Sequence, residues 1–268
     1  MRRIILLSLV FFLLSAKDSY NLQKSFPAKN SSFFSTDQLG NLYIVSDNTL
    51  YKYYANSEII SNYRNNQLGK LAFADVSNPF KVLLFFPDFS QIVIVDNKLS
   101  ETTRIDLRQL DIQQIGAVCT SYNDALWVYD TQDQNLKRID NNLKITNISQ
   151  KLGQIIPEPL APDLMTENEN FLYVNNPASG ILVFDKFGTY LKTLPLKGLK
   201  SFQFLGNQLL FLKKDSSAYQ LKSYNLGNLE EKNILLPPLN PKDTLRDARI
   251  HQQVLFLFKK EIIDLYSF

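Results

Sequence analysis

Cysteine, histidine and tryptophan are nearly absent from this 268-residue chain, which has one of each, and methionine occurs only twice. A lone Cys119 cannot close a disulfide within the chain, so stability has to come from a packed core. A zinc site draws several ligands from His and Cys, and one of each excludes a site of the usual kind. His251, in "RIHQQVLF", would have to serve as base in any Ser/His/Asp triad, and no G-x-S-x-G supplies a nucleophile elbow. A Cys119/His251 pair requires two predicted inner strands to bring them together across a channel. Charge of one sign is lacking as well. With 29 Lys and Arg against 26 Asp and Glu, a formal charge of +3 and no dense basic block, the chain offers nothing that favours nucleic acid as a partner.

Long hydrophobic runs are confined to the start of the chain. Ile4 to Leu14 is preceded by Arg2 and Arg3 and followed by Ser15 and Ala16, the order of a secretory signal peptide. The run is too short for the roughly 20 apolar residues that a stable membrane-spanning helix needs. The expectation is therefore a signal peptide over 1–16, cleaved after Ala16, followed by an exported protein of the periplasm or exterior with no stable transmembrane segment. Leu14, at the third position before the cut, departs from the small-residue pattern and leaves an uncleaved anchor as the alternative. No cysteine lies near the cleavage region to carry a bacterial lipoprotein anchor. Losing Arg2 and Arg3 lowers the formal charge from +3 to +1.

What the rest of the chain does have is repetition. Apolar doublets recur as "NLYIV" from Asn41, "KVLLFF" from Lys81, "ALWVY" from Ala125, "FLYV" from Phe171, "QLLFL" from Gln208 and "VLFLF" from Val254. Side chains alternate across a strand, so Phe171 and Tyr173 share one face while Leu172 and Val174 share the other. Both faces are apolar, which calls for a sheet covered on both sides. With Tyr43, Leu84, Trp127, Tyr173, Leu210 and Phe256 as equivalents, the spacings are 41, 43, 46, 37 and 46 residues. Units of that length containing strand pairs predict an all-β, six-bladed β-propeller forming one domain over 17–268. Polar turns such as "SDNT" and "NNPASG" separate second from third strands, and further turns near Asn56, Asn97, Asn141, Lys186 and Gly227 precede the fourth. The sixth copy ends after its third strand. "YNLQKSF", Tyr20 to Phe26, belongs to no unit of its own, and is expected to supply the missing strand and close the ring.

The stretch "LYVNNPASGILVFDKFGTYLKTL", Leu172 to Leu194, resembles the repeat of NHL-type and related six-bladed propellers: an apolar doublet, an Asp/Asn turn, "I.VFD..G" and an apolar strand. The resemblance implies architecture and says little about ligand. Gluconolactonase-like propellers, a neighbouring family, hold a metal in the central channel on acidic and amide side chains, but no motif here carries those positions over. No motif implies a cofactor, and no residue is assigned to a metal.

In such a fold the second-to-third turns and the blade-to-blade connections emerge on one face. The longest connections contain Leu152 to Glu167 and Leu235 to Asp247, both rich in proline, which cannot join a ladder. Binding residues concentrate on loops held by a rigid scaffold, so this face is the expected interaction face. Asp163, Arg246, Asp247 and Arg249 are the candidate ligand-binding residues at the channel mouth, together with His251 on the innermost strand of the last blade. Asp130, Asp133 and Asn135 in "DTQDQN" have some look of a calcium loop, but lack the D-x-D-x-D-G order and the later Glu, and fall where every copy has a polar turn. Trp127 occupies a core position of the repeat. The leading expectation is a non-catalytic scaffold for a protein or cell-envelope component. The alternative is a propeller-type hydrolase or lyase using channel carboxylates or a bound metal.

Overall fold

The computed structural model of the protein describes residues 20–53, 59–215, 218–240 and 243–268. The expected signal peptide, 1–16, and the turn expected near Asn56 lie outside the described residues. The chain forms six four-stranded antiparallel sheets, the blades of a six-bladed β-propeller. It opens with β1 (Asn21–Pro27). Blade one follows as β2 (Ser31–Thr36), β3 (Leu42–Ser46), β4 (Thr49–Tyr53) and β5 (Ile59–Arg64), and blade two as β6 (Phe73–Asp75), β7 (Val82–Phe86), β8 (Gln91–Val95) and β9 (Glu101–Asp106). Blade three contains β10 (Ile115–Thr120), β11 (Leu126–Asp130), β12 (Asn135–Ile139) and β13 (Ile145–Ile148); blade four contains β14 (Leu164–Asn168), β15 (Phe171–Asn176), β16 (Gly180–Asp185) and β17 (Tyr190–Leu194). Blade five is β18 (Gln203–Leu205), β19 (Gln208–Lys214), β20 (Tyr219–Asn225) and β21 (Glu231–Ile234). Blade six has only β22 (Leu245–His251), β23 (Val254–Lys259) and β24 (Ile262–Ser267) of its own, and β1 pairs with β24 as its outermost strand. The expected closure is thus present. Phe26 pairs with Ile263 and is 1% exposed, so the closing strand is anchored by burial as well as by its ladder.

The two-sided apolar strands explain why the sheets form a ring rather than a stack. Leu42 and Ile44 pack with Phe256 and Phe258 at the junction of blades six and one, while Tyr43 and Val45 on the same strand pack with Leu84 and Phe86 at the junction of blades one and two. The same division separates Trp127 from Val128, which serve the junctions of blade three with blades four and two respectively. Six such clusters, one per junction, make up the core. Phe171 differs from the other doublet residues: it begins β15 at a turn and remains partly exposed.

The third-to-fourth turns repeat one device. Asp96, Asp140 and Asp185 each accept two backbone N–H bonds within the turn that follows, to Lys98 and Ser100, Asn142 and Lys144, and Phe187 and Thr189, all at 2.8–2.9 Å. The chain then passes through a left-handed residue, Leu99 (φ 63°), Leu143 (φ 60°) or Gly188 (φ 86°). A carboxylate that satisfies two donors is what holds two leucines in a backbone region that L-residues avoid.

Candidate binding site in the central channel

The innermost strands β2, β6, β10, β14, β18 and β22 surround the propeller axis. Strand direction alternates within a blade, so second-to-third turns and blade-to-blade connections share one face, here the connection face. Asparagine side chains tie these two kinds of loop together. Asn48 donates to the Gly69 carbonyl and accepts from Leu71 N–H, at 2.9 and 2.7 Å. Asn176 pins the proline-rich connection ahead of β14 by accepting from Ala161 N–H and donating to the Pro159 carbonyl. Its neighbour Asn175, fully buried, donates to the Leu199 carbonyl and to Asp163. The connections at Gly69–Leu71, Pro159–Ala161 and Leu199 are therefore fixed by the blades beside them.

A cavity of about 1250 Å³ runs through the channel, and Asp163, Arg246, Asp247, Arg249 and His251 all line it. They do not converge on one point. Asp163 stands at the connection-face end, its carboxyl bonded by Asn175 at 2.7 Å. Burial pushes its pKa up, and the Asn175 bond offsets that only in part. Asp247 and Arg249 are both buried and form a closed pair at 3.0 Å. Asp247 also accepts from Ser201 Oγ at 2.6 Å, and Arg249 donates to the Phe202 carbonyl, so the pair fastens blade six to blade five. Arg246 is exposed, donates to the Ser31 carbonyl across the junction with blade one, and lies 4.6 Å over the Phe258 ring. His251 ends β22 at the opposite face. Its imidazole packs on Gly40, where φ is +81° and an added Cβ would lie 3.0 Å from the ring.

The opposite end of the channel is acidic, yet each carboxylate there is engaged in fastening the fold. Asp37 is buried and accepts from Leu39 N–H, from Asn41 through both backbone and side chain, and from the Tyr43 hydroxyl at 2.9 Å. Burial, reinforced by Asp37, holds the Tyr43 phenol protonated far above its ordinary range. Asp75 of blade two accepts from Thr120 of blade three through N–H and Oγ1 at 2.8 and 2.7 Å. Glu167 of blade four accepts from Ser121 Oγ, Tyr122 N–H and Trp127 Nε1 of blade three at 2.6, 3.2 and 2.9 Å.

The residues that sequence reasoning did not single out are the rim lysines. Lys197, Lys200, Lys213 and Lys214 are exposed and line the cavity at its connection-face mouth, with Arg246 beside them. Among the described residues only Lys197 of these five has a carboxylate within ion-pair distance, Glu158 at 3.7 Å. Further in, Phe33 and Phe73 meet edge to face at 5.6 Å, and Phe204 makes a tilted contact with Tyr173 at 4.6 Å between centroids; all three phenylalanines are partly exposed and line the cavity.

Two other sequence candidates resolve as structure. Lys137, almost fully buried, places its ammonium 2.7 Å from Asp130 and 2.6 Å from Asp133, so a lysine occupies the position a calcium ion would take in that turn. Burial works to lower the Lys137 pKa, but the two carboxylates outweigh it and hold it above the ordinary lysine range. Cys119 is fully buried between blades three and four beside Trp127, and burial raises its thiol pKa well above the usual value. It lies in blade three and His251 in blade six, on opposite sides of the ring, so the two form no pair. Among the described residues no group of three or more His, Cys, Asp or Glu side chains is placed to hold a metal ion, and no helix is long and apolar enough to cross a membrane.

No family model and no curated protein matches the chain. Solved structures do. A catalytically inactive virginiamycin B lyase from Staphylococcus aureus, with quinupristin, superposes with a TM-score of 0.63 at 12% identity, covering 93% of this chain and 100% of the lyase chain. BamB from Moraxella catarrhalis gives 0.55 at 11%, covering 93% and 98%. The Pan2 WD40 domain of Neurospora crassa gives 0.62 at 9%, covering 92% and 95%. At these identities the likeness concerns fold alone, and one propeller scaffold serves enzymes and binding proteins alike. These neighbours share the propeller fold, and by its own six four-stranded sheets the chain is a six-bladed β-propeller.

Proposed function

We propose that the protein is an exported, non-catalytic binding scaffold whose partner, a protein or cell-envelope component, docks on the connection face at the channel mouth. The observation that carries this reading is the division of labour among the channel's charged groups. Asp37, Asp75, Glu167, Asp247 and Arg249 are spent on bonds within and between blades, whereas the rim lysines are exposed, Lys197 and Lys200 on a connection that Asn175 holds through the Leu199 carbonyl. Rigid loops bind without a large ordering cost. The NHL-type pattern of Leu172 to Leu194 and the signal-like start of the chain are in keeping with an exported repeat scaffold. The enzymatic alternative draws on one group, the Asp163 carboxyl with its raised pKa; a single carboxyl already bonded to Asn175 is a thin basis for acid–base work.

Site-specific photo-crosslinking in the producing cell tests the proposal. A crosslinker at Lys200 or Lys213 should give a discrete adduct, and one at Leu39 or Leu205 on the opposite face should not. Adducts confined to the opposite face overturn the docking assignment. N-terminal sequencing of the secreted material should read from Lys17; a protein retained in the cytoplasm with Met1 overturns export.

A further inference from the structure

We infer that the channel mouth receives an acidic peptide segment of the partner, with carboxylates at the rim and an apolar side chain inserted against the Phe33–Phe73 pair. The inference rests on the connection-face reading above and names the chemistry of what docks there. Five exposed cations stand on three separate segments, the connection into blade five (Lys197, Lys200), the end of β19 (Lys213, Lys214) and the start of β22 (Arg246). Four of the five are lysines, and an ammonium is a point charge without the planar fork that guanidinium uses to grip one phosphate or carboxylate. Point charges spread over three segments suit carboxylates spread along a chain.

The interior supplies the second half of the recognition. The partly exposed rings of Phe33, Phe73 and Phe204 line the cavity below the rim, and at the far end Asp37, Asp75 and Glu167 make the surroundings negative. A segment carrying negative charge throughout would be repelled from that end, so the acidic portion stays at the rim while the tip is apolar. The cavity, about 1250 Å³, exceeds the ~300–1,000 Å³ typical of sites for single small molecules and has room for several residues. A nucleic-acid duplex or a membrane surface can touch the rim but places nothing apolar against the Phe33–Phe73 pair.

Fluorescence anisotropy on the full-length exported protein tests this with three labelled decapeptides: one Glu/Asp-rich with a terminal Phe, the same peptide with Ala for Phe, and the first with Lys for every acidic residue. The acidic Phe peptide should bind, weaken steeply as NaCl rises from 50 to 300 mM, and lose at least tenfold affinity on Phe→Ala. The lysine peptide should not bind. The double variant Lys213→Glu/Lys214→Glu should bind at least tenfold more weakly at an unchanged melting temperature, whereas Lys98→Glu, in a turn on the opposite face, should bind as the parent does. Equal binding of acidic and basic peptides, or a rim variant that binds like the parent, overturns the inference. So does capture by polyphosphate or by phosphatidylglycerol vesicles with no peptide binding. If crosslinks form at Lys200 or Lys213 but no acidic peptide binds, the docking face stands and the acidic segment falls; crosslinks only at Leu39 or Leu205 remove both.

Discussion

Glu167 joins blades three and four through a bond whose loss can be sized. Its Oε2 accepts from Trp127 Nε1 at 2.9 Å and from Ser121 Oγ at 2.6 Å, and Oε1 accepts from Tyr122 N–H at 3.2 Å. Trp127 is 0% exposed, so in Glu167→Ala its indole N–H has no solvent to turn to. A buried donor left without a partner costs about 1–3 kcal/mol, and loss of the charge-assisted bond from Ser121 adds about 1 more. Tyr122 is exposed and recovers its bond from water. The sum, about 3 kcal/mol, corresponds to a fall of roughly 6–12 °C in melting temperature for a domain of this size. Trp127→Phe removes the donor itself, so Glu167→Ala in that background should cost at least ~1 kcal/mol less, the coupling expected of a direct bond. Differential scanning calorimetry is the assay, because Trp127 is the sole tryptophan and its replacement removes the fluorescence signal. A single variant within about 0.5 kcal/mol of the parent, or additive effects in the double variant, would refute the staple.

Three further outcomes follow from the same geometry. Gly180 has φ +120°, and a Cβ there would fall 2.1 Å from the Leu194 carbonyl oxygen of the neighbouring strand, so Gly180→Ala should lose about 3 kcal/mol or more in urea unfolding; a loss below ~1 kcal/mol contradicts the geometry. Phe26→Ala empties the anchor of the closing strand and should cost about 3–5 kcal/mol, whereas Leu22→Ala, exposed on the same strand, should cost under ~0.5; equal effects would show that β1 contributes only its ladder. The Asp163 pKa is raised by burial, so the folded state binds this proton more tightly than the unfolded chain, and stability falls as pH climbs from the unfolded value of about 3.9 through the folded one. Asp163→Asn, which keeps an acceptor for Asn175, should therefore melt above the parent at pH 7, with the gap closing toward pH 4; a parent that melts higher at pH 7 reverses the sign.

The propeller was legible because its information is periodic. Doublets apolar on both sides report burial between two neighbours, and Leu42/Ile44 against Tyr43/Val45 show each side serving a different junction. The closing strand was legible from a shortage, a sixth unit lacking a strand and a first segment lacking a unit. What periodicity could not show was which polar residues of the inner strands face a neighbouring blade. Asp75 with Thr120, Ser121 with Glu167, Ser201 with Asp247 and Gln203 with Ile250 lie 45, 46, 46 and 47 residues apart, close to the length of a unit. Alternation assigns such residues to one side of a strand, but a polar side may face the channel, the solvent or the next blade, and only the twist and tilt of the assembled blades decide.

For the site, the same limit took a particular form. Arg246, Asp247 and Arg249 are expected at the channel mouth for their charge beside a long connection, yet two of the three close on each other and on blade five. In sequence Lys213 and Lys214, in "FLKKDSSA", look like a lysine pair in an ordinary solvated turn. Their position within the repeat held the missing signal. They end a second strand, and second strands end on the face where the connections run. Lys197 and Lys200 sit in the connection into that blade, so two unremarkable pairs from one unit meet at one mouth. Charge alone selected residues that the fold consumes, whereas charge taken with position in the repeat selects those the fold leaves exposed. In a ring of repeats the axis is where polar groups from neighbouring units must satisfy one another, and the loops at its mouth are where they are free to satisfy something else.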